Sequence, residues 1–359
     1  MSFLSNIKKL DWIILGAILF LAIFSLSFLY PYNLSIFQKQ AIWYLLSFLV
    51  IIVFSQINWE WLFNQKAFLF GFYIFSLLLL IISNLQTHLI RGTKGWLTLG
   101  GFNLEPAELA KVALIFVFSN FFNRRYIAGW RIKYILISFF LALIPTFLVA
   151  IHPDLGSAII LMSIWVGFML FGGIHKKRFL IGLLMILIMI ILSWNFFLKD
   201  YQKERLIAFL YPNKDPLGAN YNVIQSQIAI GNGGFWGRGF GQGTQAQFNF
   251  LPEAHTDFIF AALTEEWGFL GSAFLILTYL VLFYRLFYIG LNANGNSFKF
   301  LALGTVIVLA FQTFINISVN VGLMPVTGVT LPFVSYGGSS LLTGAVLIGI
   351  IEHIKLVLR

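Results

Sequence analysis

A chain of 359 residues that is 59% hydrophobic and only 10% charged, with 41 Phe and 10 Trp, is far too apolar to be a soluble globular protein. The absence of Cys excludes disulfides, thiol catalysis and Cys-ligated metal. The formal charge of +10 comes from short basic clusters scattered between apolar runs, a pattern that encodes membrane topology and argues against nucleic-acid binding.

At about 20 apolar residues per spanning helix, ten runs emerge: 11–30, 41–57, 67–84, 107–122, 133–150, 156–173, 178–198, 257–287, 300–322 and 338–357. The expected fold is an all-α polytopic membrane protein of about ten transmembrane helices, one integral domain over 1–359. The first run follows Lys8 and Lys9 but is too long for a cleaved signal and lacks a small-x-small site, so it reads as a retained span. Lys8, Lys9, Lys66, Arg124, Arg125, Lys176, Lys177 and Lys355 crowd the ends that share a side with the N-terminus. The opposite short loops hold only Lys39, Arg91 and Lys94. By the positive-inside rule both termini are expected in the cytoplasm, and the polar stretch 199–256 becomes one long extracellular loop between helices 7 and 8.

In chain order, Glu105-Pro106-Ala107-Glu108-Leu109-Ala110-Lys111 opens the fourth span, with Glu108 and Lys111 three apart on one face. They are either a structural ion pair that offsets its own desolvation or, as intramembrane charges often do, a mark of a substrate path. His152-Pro153-Asp154-Leu155-Gly156 forms a short outer turn in which Asp154 is a natural helix cap. Arg205 and Arg238 lie in the long polar segment and, with Lys111, are candidate phosphate partners. Gly231 to Gly243 contains seven Gly in thirteen residues, a flexible or tightly turned stretch; no strand precedes it and no Gly-Lys-Ser/Thr closes it, so it is no nucleotide loop.

Leu251-Pro252-Glu253-Ala254-His255-Thr256-Asp257-Phe258-Ile259-Phe260 places Glu253, His255 and Asp257 within five residues, just where the chain turns apolar. Asp257 is the candidate catalytic residue, its bland alternative being an N-cap of the eighth helix. With His152 and Asp154 this cluster offers N and O donors, but at no recognised metal spacing, so the metal stays unknown. The last outer segment, Met324 to Ser340, contains two Pro and three Gly, which forbids regular helix and leaves backbone groups at membrane depth that protein or a watery cavity must satisfy. It is expected to line the same cavity as Asp257.

Five segments, Glu105–Lys111, His152–Gly156, Asp215-Pro-Leu-Gly218, Leu251–Phe260 and Leu331–Ser340, together resemble the SEDS family (shape, elongation, division and sporulation) across nearly the whole chain. The resemblance implies a ten-span inverting glycosyltransferase that polymerises the cell-wall precursor lipid II at the outer face of the bacterial cytoplasmic membrane during elongation. It implies a class B penicillin-binding protein, a transpeptidase, as partner within the elongation machinery. Asp257 matches the family's general base; Glu108, Lys111, Asp154 and Arg205 match its other motif residues, with Glu253, His255 and Ser339 in supporting or substrate-binding places. No cofactor is certain, but a divalent cation, Mg or Mn, could accompany the pyrophosphate. The rival reading is a lipid II transporter, a flippase, using the same intramembrane charges.

Overall fold

The computed structural model describes residues 9–85, 95–99, 102–128, 131–151, 154–174, 176–198, 200–211, 218 and 220–358. His152, Pro153, Arg91, Lys94 and Asp215 of the motifs above lie outside the described residues. Helices α1 (Trp12–Tyr32), α2 (Leu34–Gln56), α3 (Trp59–Asn64) and α4 (Lys66–Leu85) lead to a short antiparallel hairpin, β1 (Leu97–Leu99) and β2 (Phe102–Leu104). Then come α5 (Pro106–Ala128), α6 (Ile132–Ile151), α7 (Leu155–Phe171) and α8 (Lys176–Leu192), the last prolonged by a π turn over Ser193–Phe197. After three shorter helices the chain closes with α12 (Ile259–Leu291), α13 (Asn296–Asn320) and α14 (Gly338–Val357).

Among the described residues, seven helices are long and apolar enough to cross a membrane, α1, α2, α4, α6, α12, α13 and α14, and shorter apolar helices lie at Leu155–Phe171 and Phe179–Asn195. The remaining expected span is α5, less apolar because its sequence holds Glu108 and Lys111 in the first turns and Asn120, Asn123, Arg124 and Arg125 toward the end. The protein is therefore a polytopic helical membrane protein. Helices α5, α7, α13 and α14 form its centre, most of their residues being buried, whereas α2 is largely exposed and its Leu45 and Leu49 suit a lipid-facing surface. Helix α14 packs along α2, α13 lies between α5 and α12, and α1 lies against α12.

The long polar segment differs from the expected loop. It holds α9 (Asp200–Leu210), α10 (Tyr221–Gly233) and α11 (Thr244–Gln247). Helix α10 buries Ser226, Ala229 and Gly233 against α12 and α13, and the Ser226 hydroxyl donates to the Asn320 carbonyl at 2.8 Å. A helix with so narrow a buried face is too polar to read as a span, yet packs as a bundle element.

The glycine-rich stretch after it is tightly turned and docked. Helix α12 breaks at Gly268, where φ is 67°, and the chain around Gly237 fills the break. Arg238 N donates to the Glu265 carbonyl at 2.9 Å and Gly239 N to that of Glu266 at 3.0 Å, while Phe269 N donates back to the Gly234 carbonyl at 2.9 Å. A side chain at Gly237, whose φ is 84°, would start 2.1 Å from the Glu266 carbonyl oxygen, so only glycine permits the approach. Both carboxylates turn beneath this stretch: Glu265 accepts from the Thr244 hydroxyl at 2.9 Å and from Gln245 N at 3.0 Å, capping α11, and Glu266 lies under Gly243.

Candidate active site

The irregular segment from Thr327 to Gly337, which gives way to α14 at Gly338 rather than after Ser340, is the hub to which the other motifs attach. Its backbone would be unaffordable in an apolar interior without partners, and the sequence supplies them from three helices. Ser25 Oγ donates to the Val334 carbonyl at 2.6 Å, Tyr44 Oη to that of Phe333 at 2.9 Å and Gln40 Nε2 to that of Ser335 at 3.1 Å. The Tyr279 hydroxyl donates to the Pro332 carbonyl. These four side chains are fully buried, which explains polar residues in otherwise apolar runs.

The turn carrying Asp257 is pinned to this hub. Ser335 Oγ donates to the Thr256 carbonyl at 2.6 Å, and Tyr336 N to the His255 carbonyl at 2.9 Å. The His255 ring lies between Tyr32 and Tyr336, each centroid 5.7 Å away. Glu253, exposed and with a left-handed φ of 54°, accepts from the Thr256 hydroxyl at 2.8 Å. Asp257 does not cap α12, which has no side-chain cap and starts at Ile259. Asp257 is partly exposed, and its Oδ2 lies 3.9 Å from where a side chain on Gly328 would begin. The hub segment and Asp257 thus lie side by side, although the small cavity that Pro332 and Phe333 line does not reach Asp257.

What holds Asp257 is a pair of amides that the sequence reading passed over. Asn316 Nδ2 and Asn320 Nδ2 each donate to the Asp257 carbonyl at 2.9 Å; Asn316 also donates to the Val329 carbonyl at 2.8 Å. Asn320 Oδ1 accepts from Ala261 N at 3.0 Å, taking up one of the unpaired donors at the start of α12. With Gln312 they form a stripe at every fourth residue, one face of α13. That spacing of amides in an apolar run was the available signal.

The stripe leads from Asp257 to the charged pair. Gln312 lines a small cavity with Glu108, Lys111, Phe333 and Ser340, of about 10 Å³, on the scale of one water. Lys111 Nζ meets Glu108 Oε1 at 2.8 Å with both side chains buried, and the charges of Glu105 and Asp154 also act on it. Asp154 caps α7, accepting from Ser157 N at 3.0 Å, and Ser157 Oγ reaches Glu105 at 3.4 Å. Gly156 beside it abuts the hub, since a Cβ there would stand 2.5 Å from the Thr327 carbonyl oxygen. Ser339 Oγ accepts from Glu105 N at 3.1 Å, tying α14 to the start of α5.

The structure therefore gathers Glu108, Lys111, Asp154 and Ser339 on one side of the hub and Glu253, His255 and Asp257 on the other. Arg205 stands exposed on α9. Among the described residues no three His, Asp or Glu side chains are grouped to hold a metal ion.

Residues 5–359 match the family of FtsW, RodA and SpoVE, described as cell cycle proteins. The chain belongs to that family. It is 38% identical to the peptidoglycan glycosyltransferase MrdB of Escherichia coli K12, over 79% of this chain and 76% of the relative. It is 34% identical to the probable peptidoglycan glycosyltransferase FtsW of Geobacter sp. M18, over 90% and 87%. Among solved structures, it superposes with a TM-score of 0.81 at 28% identity on a chain from work on the structural coordination of polymerization and crosslinking by a peptidoglycan synthase complex, covering 96% of this chain and 97% of that one. The rod shape determining protein RodA of Thermus thermophilus gives 0.72 at 25% identity, covering 96% of both. As in those FtsW/RodA/SpoVE relatives, nearly the whole chain is the family fold.

Proposed function

We propose that this FtsW/RodA/SpoVE protein is a peptidoglycan glycosyltransferase that polymerises lipid II at the outer face of the cytoplasmic membrane during cell elongation, with both termini cytoplasmic and a class B penicillin-binding protein as partner. The relatives' names support the activity, and the likeness to a chain of a peptidoglycan synthase complex supports the partner. The observation that carries the site is Asp257: a partly exposed acidic residue on a turn whose backbone is clamped by Asn316 and Asn320. A base must be held in place while its substrate arrives, and a partly exposed Asp on a locked backbone meets that need.

In the reaction, the 4-hydroxyl oxygen of an acceptor sugar bonds to the anomeric carbon of the donor as the bond to the lipid pyrophosphate breaks. Asp257 takes the hydroxyl proton, and the electron pair of the broken bond leaves on the pyrophosphate. An α-linked donor giving a β-linked product is a single inversion, so no second carboxylate is needed as nucleophile. Arg205, exposed, is the cation proposed to meet the pyrophosphate. Lys111, sealed against Glu108, is proposed to hold the floor of the site at a fixed charge, with Asp154, Glu253, His255 and Ser339 shaping it. A divalent cation, Mg or Mn, is proposed to accompany the pyrophosphate, whose oxygens suit such an ion; no step depends on it.

The test is lipid II polymerisation by the purified protein with its penicillin-binding partner, comparing wild type with Asp257→Asn while monitoring folding and association. A drop of about 10²–10⁴-fold, the range for a general base, with both controls intact is the expected result. Unchanged polymer would remove Asp257 as base.

A further inference from the structure

A second feature lies at the opposite end of α12, remote from Asp257. Helices α1 and α12 leave between them an apolar groove of about 250 Å³, walled by Ile13, Ala17 and Phe20 on one side and by Phe274, Thr278 and Val281 on the other. On α12 these positions continue in register to Arg285, one turn beyond Val281. Arg285 belongs to a polar cluster that joins three helix ends. Its Nε lies 2.7 Å from Asp11 Oδ2, Lys355 Nζ lies 3.0 Å from the same oxygen, and Asp11 N donates to Glu352 Oε2 at 2.8 Å.

The cluster contains two cations and two carboxylates, but they are not equally placed. Asp11 and Glu352 are 1% and 0% exposed, whereas the side chains of Arg285 and Lys355 are 27% and 17% exposed. The surface at the end of the groove is therefore cationic. Among the described residues the guanidinium's hydrogen bond is from Nε to Asp11, which leaves its two terminal amino groups for another acceptor. Trp12, Tyr284 and Tyr288 stand exposed around this end, with Arg285 5.4 Å from the Tyr288 ring centroid. Amphipathic rings gather at the membrane–water boundary, which puts Arg285 at headgroup depth and the groove at acyl-chain depth.

We propose that this groove binds one anionic phospholipid, an acyl chain lying between the two helices and the phosphate meeting Arg285. Charge and shape select that occupant. Basic pockets between spanning helices take up acidic headgroups, whereas helix docking in lipid favours faces of small residues, and here Phe20 and Phe274 stand as walls on either side of Ala17 and Thr278.

The experiment is native mass spectrometry of the detergent-purified full chain with phosphatidylglycerol or phosphatidylcholine of identical acyl chains. Wild type is expected to retain phosphatidylglycerol about fivefold better, the effect of one basic side chain near charged headgroups. Arg285→Gln should erase that preference, and Arg285→Lys should keep most of it. Because Arg285→Gln also deprives Asp11 of a partner, Thr278→Trp serves as a second variant: it fills the groove without touching the cluster and should lose bound lipid at an unchanged unfolding temperature. Equal retention of the two lipids by wild type, or full retention by Thr278→Trp, would overturn the proposal. So would a photoreactive side chain at 278 that captures only a protein helix in cell membranes.

Discussion

Asn320 holds both sides of the turn before α12: its amide nitrogen donates to the Asp257 carbonyl at 2.9 Å while its amide oxygen accepts from Ala261 N at 3.0 Å. One side chain thus fixes the proposed base against the helix that follows it. Asn320→Leu removes both bonds. The expected outcome is a loss of about 10²-fold in polymerisation, the scale of a small misplacement of a reacting group, with most of the folded population retained. Lipid II turnover beside a thermal unfolding curve checks it.

The Glu108–Lys111 pair separates fold from function by a double substitution. Glu108→Gln alone strands a buried ammonium and should destabilise by about 3–5 kcal/mol. Replacing both, Glu108→Gln with Lys111→Met, should recover much of that stability. If the pair also sets the charge at the floor of the site, the double variant stays inactive although folded; a folded and active double variant would leave it a structural pair only.

The hub carbonyls make a prediction about stability alone. Tyr44→Phe strips the Phe333 carbonyl of its donor and should cost about 1 kcal/mol, less than the loss of a fully orphaned group because neighbouring donors can shift. Unfolding temperature in detergent measures it, and lipid II turnover should fall far less than in Asn320→Leu.

At the far end, hydrogen bonding and charge from Lys355 and Arg285 hold the Asp11 carboxyl below its ordinary range, although burial alone pushes it upward. A carboxylate with a depressed folded pKa stabilises the protein above its unfolded value of about 3.9, and that contribution is lost as pH falls through the lower folded value. Wild type should therefore lose stability on acidification below about pH 4. Asp11→Asn keeps the helix cap over Ile13 and Ile14 but carries no charge, so it should start less stable and show a flatter acid limb. Unfolding temperature against pH tests the difference.

The spans were legible because lipid leaves long apolar runs in the chain: seven of the ten correspond to helices long and apolar enough to cross a membrane and two more to shorter apolar helices. The break in α12 was not, since one long expected span runs straight through Gly268, Glu265 and Glu266 beside it do not by themselves signal a bend, and only the docking of residues 234–239 reveals it. The helix α10 was hidden for a related reason: its packed face is narrow and carries Ser226 and Gly233, which no hydrophobic periodicity registers. In the site, Asp257 and the Glu108–Lys111 pair could be read because charge is rare in such a chain. Asn316 and Asn320 escaped because a neutral amide in an apolar helix attracts notice only once its partner, a backbone carbonyl 59 to 63 residues earlier, is known.

The docking of residues 234–239 onto the broken α12 also makes the two segments mutually dependent. Arg238 N and Gly239 N bind carbonyls of the helix while Phe269 N binds a carbonyl of the glycine-rich stretch, so each supplies partners for backbone groups that the other leaves open. A change that loosens the stretch should therefore be felt in the bend of α12, and a change that straightens α12 should be felt in the stretch.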